Sequence, residues 1–136
     1  ALRGHFLKQK IVCVFDPAMT GLKYSESLSW YERAFDSADQ VIVGKVSFLR
    51  SIAKEKRVKG NDLVKAIVKT QPQVFYEPVD EKIVDWLGKK TAESDVIVFM
   101  SSGGLRFIKL IEKTKKVLDA FAGFDPTTTA RRDKWT

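Results

Sequence analysis

"DVIVFMSSGGLRFIKLI" (residues 95–111) decides the fold. An acid leads into a continuous apolar run, then Ser-Ser-Gly-Gly, then an apolar pattern at helical spacing. A strand that is apolar on both faces is expected to be covered on both, as in a parallel sheet between helices. Three other runs have the same character: "KIVCVF" (10–15), "QVIVG" (40–44) and "QVFYEP" (73–78). Helical patterns lie between them. Tyr24, Leu28, Tyr31 and Phe35 repeat at helix spacing, with Trp30 beside them. Leu63, Val64, Ile67 and Val68 follow a Gly60-Asn61-Asp62 cap. Val79, Ile83, Trp86 and Leu87 form a third stripe, with Asp80 and Glu81 in a first turn whose dipole favours acids. Leu105, Ile108, Ile111, Leu118 and Phe121 form the last. Segment 45–60 reads as a loop or short helix. Strands alternating with helices predict a three-layer α/β domain with a mostly parallel sheet of at least four strands. The domain is expected over residues 1–122, with 123–136 a polar tail ordered only in part.

Composition narrows the function. The chain of 136 residues suits one domain with a real core. The single Cys13 excludes an internal disulfide and reads as a buried core residue. With one histidine, His5, near the start, a transition-metal site has almost nothing to be built from. The formal charge of +7 comes from lysines and arginines mixed with acids on helix faces. No basic stripe interleaved with aromatics appears, so nucleic acid is not the expected partner. No apolar run is long enough for a membrane span, and "ALRGHFLKQK" lacks a signal peptide's apolar centre.

Ligands of open parallel sheets gather at the carboxyl ends of the strands. Two turns there are unusual in composition. In "FDPAMTGLKYSE" (15–26), Asp16 precedes Pro17, and Thr20 and Gly21 lead to Lys23 at the mouth of a helix. In the other, Ser101, Ser102, Gly103 and Gly104 precede Leu105 and Arg106. Glycine removes the Cβ that would block a ligand, and a helix's first N–H groups attract anions. The serine hydroxyls and the Arg106 guanidinium add donors. A serine cap and tight turn without a ligand is the plain alternative. No Walker loop, Gly-x-Gly-x-x-Gly turn or Gly-x-Ser-x-Gly elbow occurs, so no catalytic residue and no metal ligand is expected in this chain.

At these turns the sequence resembles the C-terminal domain of the Mur ligases, in outline closest to the murein tripeptide ligases that act on UDP-N-acetylmuramate. The features that carry the resemblance are "ALRGHFLKQKIVCVFDPAMTGLK" (1–23), "SADQVIV" (37–43), "NDLVKAI" (61–67) and "SDVIVFMSSGGL" (94–105). The resemblance implies a Rossmann-like domain that binds the incoming amino acid or muramyl peptide acceptor in peptidoglycan synthesis or recycling. It implies N-terminal and central domains of the same ligase as partners, and a cytoplasmic location. ATP and Mg2+ would bind mainly outside this chain, where the carboxylate is activated as an acyl phosphate for attack by the acceptor's amine. The chain would then be a fragment of an ATP-dependent ligase, not catalytic alone. Asp16, Thr20 and Lys23 would lie against acceptor or nucleotide, and Ser101, Ser102, Gly103 and Gly104 against the acceptor's carboxylate. The sequence departs from the family where an arginine follows the proline: here it is Ala18, and Met19-Thr20-Gly21 replaces Ser-Asn-Thr. Arg106 is the candidate to replace that guanidinium. The family's opening strand, with an Asp-aromatic-Ala-His-His-Pro signature, has no counterpart in the chain, so one sheet position would be left uncovered. The alternative to the ligase domain is a free-standing α/β module that binds a small anion or regulates.

Overall fold

The computed structural model describes residues 2–17, 25–46, 51–101 and 105–122. Four strands, β1 (Ile11–Phe15), β2 (Gln40–Val43), β3 (Val74–Tyr76) and β4 (Val96–Met100), form an all-parallel sheet in the order β3-β2-β1-β4. Each lies within the apolar run that predicted it. Helices α1 (Leu2–His5), α2 (Gly60–Ile67), α3 (Asp80–Lys90) and α4 (Leu105–Ala122) accompany them, with 3-10 turns at Ser25–Tyr31 and Lys54–Lys56.

The continuous apolar runs are explained by two cores, one on each face. Val12, Val14, Ile42 and Ile97 pack against Ile83 and Leu87 of α3 and Phe107, Leu110 and Leu118 of α4. Cys13, Phe15, Val41 and Val43, which alternate with them, pack against Leu63 and Ile67 of α2 and against Tyr31 and Phe35. Each such apolar side chain, taken from water, contributes roughly 1.5–3 kcal/mol when large, so all of β1 and residues 41–43 of β2 stabilise the sheet. This is the three-layer α/β arrangement that the alternation of patterns predicts.

Three local expectations are corrected. The stripe through Leu28, Tyr31 and Phe35 forms a 3-10 turn followed by further turns over 32–37, not an α-helix. Carbonyls of these turns accept from side chains just after α2: the Thr70 hydroxyl donates to Glu32 O, and the Gln71 amide donates to Phe35 O and Ala38 O. Trp30 is 68% exposed, because the tighter turn carries it away from the core. In α4 the buried stripe is Phe107, Leu110, Thr114 and Leu118, while Leu105 and Ile108 face outward. The Thr114 hydroxyl donates to Leu110 O, which lets a polar residue occupy a core position. Gly60 lies inside α2 rather than capping it. A Cβ there would come within 2.2 Å of the Tyr76 ring, and Asp62 Oδ2 accepts the Lys59 N–H at 2.9 Å. Within segment 45–60 the described part holds the Lys54–Lys56 turn; residues 47–50 lie outside the described residues. Among the described residues no helix is long and apolar enough to cross a membrane.

Candidate functional site

The strand order makes β1 the branch point. The chain leaves it to build β2 and β3 on one side, then crosses to place β4 on the other. Connections at such a point diverge and leave a crevice at the carboxyl ends of the two strands. The register pairs Phe15 with Met100, so the next residues, Asp16 and Ser101, meet across that crevice. Asp16 N–H donates to Met100 O at 2.8 Å, which extends the ladder by one bond. Ser101 Oγ donates to Asp16 Oδ2 at 2.9 Å.

Arg106, on the first turn of α4, reaches the same carboxylate. Its Nη2 donates to Asp16 Oδ1 at 2.8 Å, and its Nη1 donates to Asp80 Oδ1 at 3.0 Å. The ends of β1 and β4 and the starts of α3 and α4 are thereby joined. Asp16 is buried, with 7% of its side chain exposed, whereas Arg106 is 42% exposed. A buried carboxylate is costly unless charge-paired and hydrogen-bonded, and Asp16 is both. One layer further out, Lys113 donates to Glu81 at 3.0 Å. That hydrogen bond, with the attraction of the Lys113 charge, holds the Glu81 carboxyl below its usual range.

Of the residues singled out by sequence, Asp16, Ser101 and Arg106 are brought together. Thr20, Lys23, Ser102, Gly103 and Gly104 lie outside the described residues. Sequence reasoning missed Asp80 as a member of this group, because an acid in a first turn is already accounted for by the helix dipole. Only the strand order puts the start of α3 beside Arg106. The guanidinium expected to meet an anion is held by two carboxylates, so the described cluster of Asp16, Asp80 and Arg106 sums to −1.

A second concavity, an apolar groove of about 340 Å3, runs beside β4 and is lined by Ile11, Cys13, Phe35, Ala38, Val98 and Met100, with Arg3 at its edge. Its one thiol is buried and pushed up to about 12 by desolvation, so it is no nucleophile. The Tyr31 hydroxyl, also pushed up to about 12 by burial, has no hydrogen-bond partner among the described residues. Among the described residues no group of three or more His, Cys, Asp or Glu side chains could hold a metal ion. With no Walker loop in the sequence, these residues do not fit Mg-ATP.

The chain is similar to known proteins in sequence and in fold. No protein-family model matches the chain. It is 29% identical over 113 residues to a UDP-N-acetylmuramate–L-alanine ligase of Caldanaerobacter subterraneus, covering 79% of this chain and 24% of that protein. It is 26% identical over 100 residues to the ligase of the same description from a Nostoc species, covering 71% of this chain and 19% of the relative. The chain thus spans about a quarter or less of the length of the curated relatives it matches. Among solved structures, a domain from Haemophilus ducreyi, described as that of a UDP-N-acetylmuramate:L-alanyl-γ-D-glutamyl-meso-diaminopimelate ligase, matches with a TM-score of 0.54. That match has 18% identity and covers 88% of this chain and 75% of the other, a likeness of fold. The chain is thus similar in sequence to UDP-N-acetylmuramate–L-alanine ligases and in fold to a domain of a murein tripeptide ligase, which supports the resemblance to the Mur ligase C-terminal domain.

Proposed function

We propose that this chain is the acceptor-binding domain of an ATP-dependent Mur ligase of peptidoglycan synthesis or recycling, and that the crevice between β1 and β4 receives an amino acid or muramyl peptide. The observation that carries the reading is the contact of Asp16 with Ser101 and Arg106, which joins the two unusual turns at the branch point of the sheet. In this reading Arg106 and Ser101 orient the acceptor's carboxylate, and Asp16 holds both in place. Thr20, Lys23, Ser102, Gly103 and Gly104, which lie outside the described residues, remain candidates from the sequence. The N-terminal and central domains of the same ligase supply the UDP-sugar, ATP and Mg2+, and the full enzyme works in the cytoplasm. This domain contributes orientation: it presents an amine to a carbonyl activated elsewhere, and alignment of two reactants is a large part of catalysis of amide formation.

Calorimetry on the chain separates this reading from an anion-binding module. L-Alanine or L-alanyl-γ-D-glutamyl-meso-diaminopimelate is expected to bind more tightly than inorganic phosphate. Equal or tighter binding of phosphate contradicts the reading and favours the module.

A further inference from the structure

Asp80 opens α3, yet the N–H of Val79 just before it is taken by Glu77 Oε2 at 3.2 Å, and no side chain caps the helix. The Asp80 carboxylate instead crosses 26 positions to Arg106 Nη1. The two arms of the Arg106 guanidinium are therefore unlike. One is fixed by Asp16, which is 7% exposed and also accepts from Ser101. The other is held by Asp80, which is 19% exposed and makes that one contact with the crevice.

We propose that Asp80 is a specificity-determining residue of the crevice: it competes with a ligand's carboxylate for one arm of Arg106 and, once displaced, receives the ligand's ammonium group. This rests on the acceptor-binding reading above. A guanidinium offers several donors to a carboxylate, and the Nη1 arm, held by the more exposed of the two aspartates, is the one a ligand's carboxylate takes most readily. Replacing one carboxylate by another gains little, and a plain anion leaves the cluster with an additional negative charge. A zwitterion brings its own cation to the displaced Asp80 and restores the balance. The crevice thereby selects amino acids over simple anions such as acetate.

The test is a set of amide-shift titrations of the chain and of Asp80→Asn with L-alanine and with acetate. In the wild type, L-alanine is expected to bind more tightly than acetate. In D80N the acetate affinity is expected to rise about two- to five-fold, the range of a partly exposed ion pair, and the preference for L-alanine to shrink. Arg106→Gln should remove acetate binding in both backgrounds. An unchanged ratio in D80N overturns the inference while leaving acceptor binding intact. If wild type and D80N bind neither ligand, the acceptor reading falls and takes the inference with it. Should D80N fail to fold, the wild-type ratio alone decides, since acetate binding as tightly as L-alanine contradicts selection by Asp80.

Discussion

The two ends of the central strands carry the same pair of residue types in opposite uses. At the amino end, Arg3 donates to Asp39 Oδ2 at 2.6 Å, and also to the backbone carbonyls of Ser37, Phe6 and Gln9. Asp39 in turn accepts the Ile11 N–H at 2.8 Å. At the carboxyl end, Arg106 donates only to side chains, Asp16 and Asp80, among its described contacts. An arginine bonded to carbonyls closes chain ends, and removing it leaves acceptors unmet. One held between two carboxylates can exchange a partner for a ligand. The first arrangement is a staple, and the second has the makings of a site.

The comparison can be broken by substitution. Asp16→Ala should have the largest effect, because it leaves Arg106 and Ser101 without their shared buried acceptor. It is expected to cost about 1–3 kcal/mol after allowing for the solvent around Arg106, and to abolish L-alanine binding. Urea unfolding and calorimetry on the same sample check both. Gly60→Ala should cost a similar or smaller amount, about 1–3 kcal/mol, by forcing the Tyr76 ring at the end of β3 to move. Its L-alanine affinity should be retained if the crevice lies at β1 and β4. Arg3→Ala is expected to cost about 1–2 kcal/mol in urea unfolding and to leave L-alanine affinity unchanged. A drop in affinity there erases the distinction between staple and site.

The smallest effect is in acid. Partial burial opposes ionisation of Asp39, but the hydrogen bonds from Ile11 N–H and Arg3 outweigh it and lower its pKa from 3.8. A depressed carboxyl contributes stability above its unfolded pKa and loses it as pH falls through the lower folded value. With the Asp39 side chain 44% exposed, screening holds the contribution below ~1 kcal/mol. Thermal unfolding between pH 5 and about 3 should show this decline in the wild type and a smaller one in Asp39→Asn.

The sheet was legible because its central strands β1 and β2 are buried on both faces, so "KIVCVF" and "QVIVG" had no competing helical reading. The phase of α4 was not. Leu105 and Ile108 are as apolar as Phe107 and Leu110, and only the position of β4 decides which pair faces the core. The turns that follow the 3-10 turn at Ser25–Tyr31 were hidden because the side chains that bond their carbonyls, Thr70 and Gln71, lie far along the chain. At the site, the composition of the two turns pointed to Asp16, Ser101 and Arg106. Their contact depends on the pairing of β1 with β4 across more than eighty residues, which local pattern does not encode. Asp80 was hidden for the same reason.

The central claim is that an amino acid sits between the ends of β1 and β4. A crystal structure of the chain grown with L-alanine tests it most directly. The account predicts the carboxylate of L-alanine on Arg106 and Ser101, with its ammonium group toward Asp80. L-Alanine bound in the apolar groove beside Arg3, or at the amino ends of the strands, would contradict it.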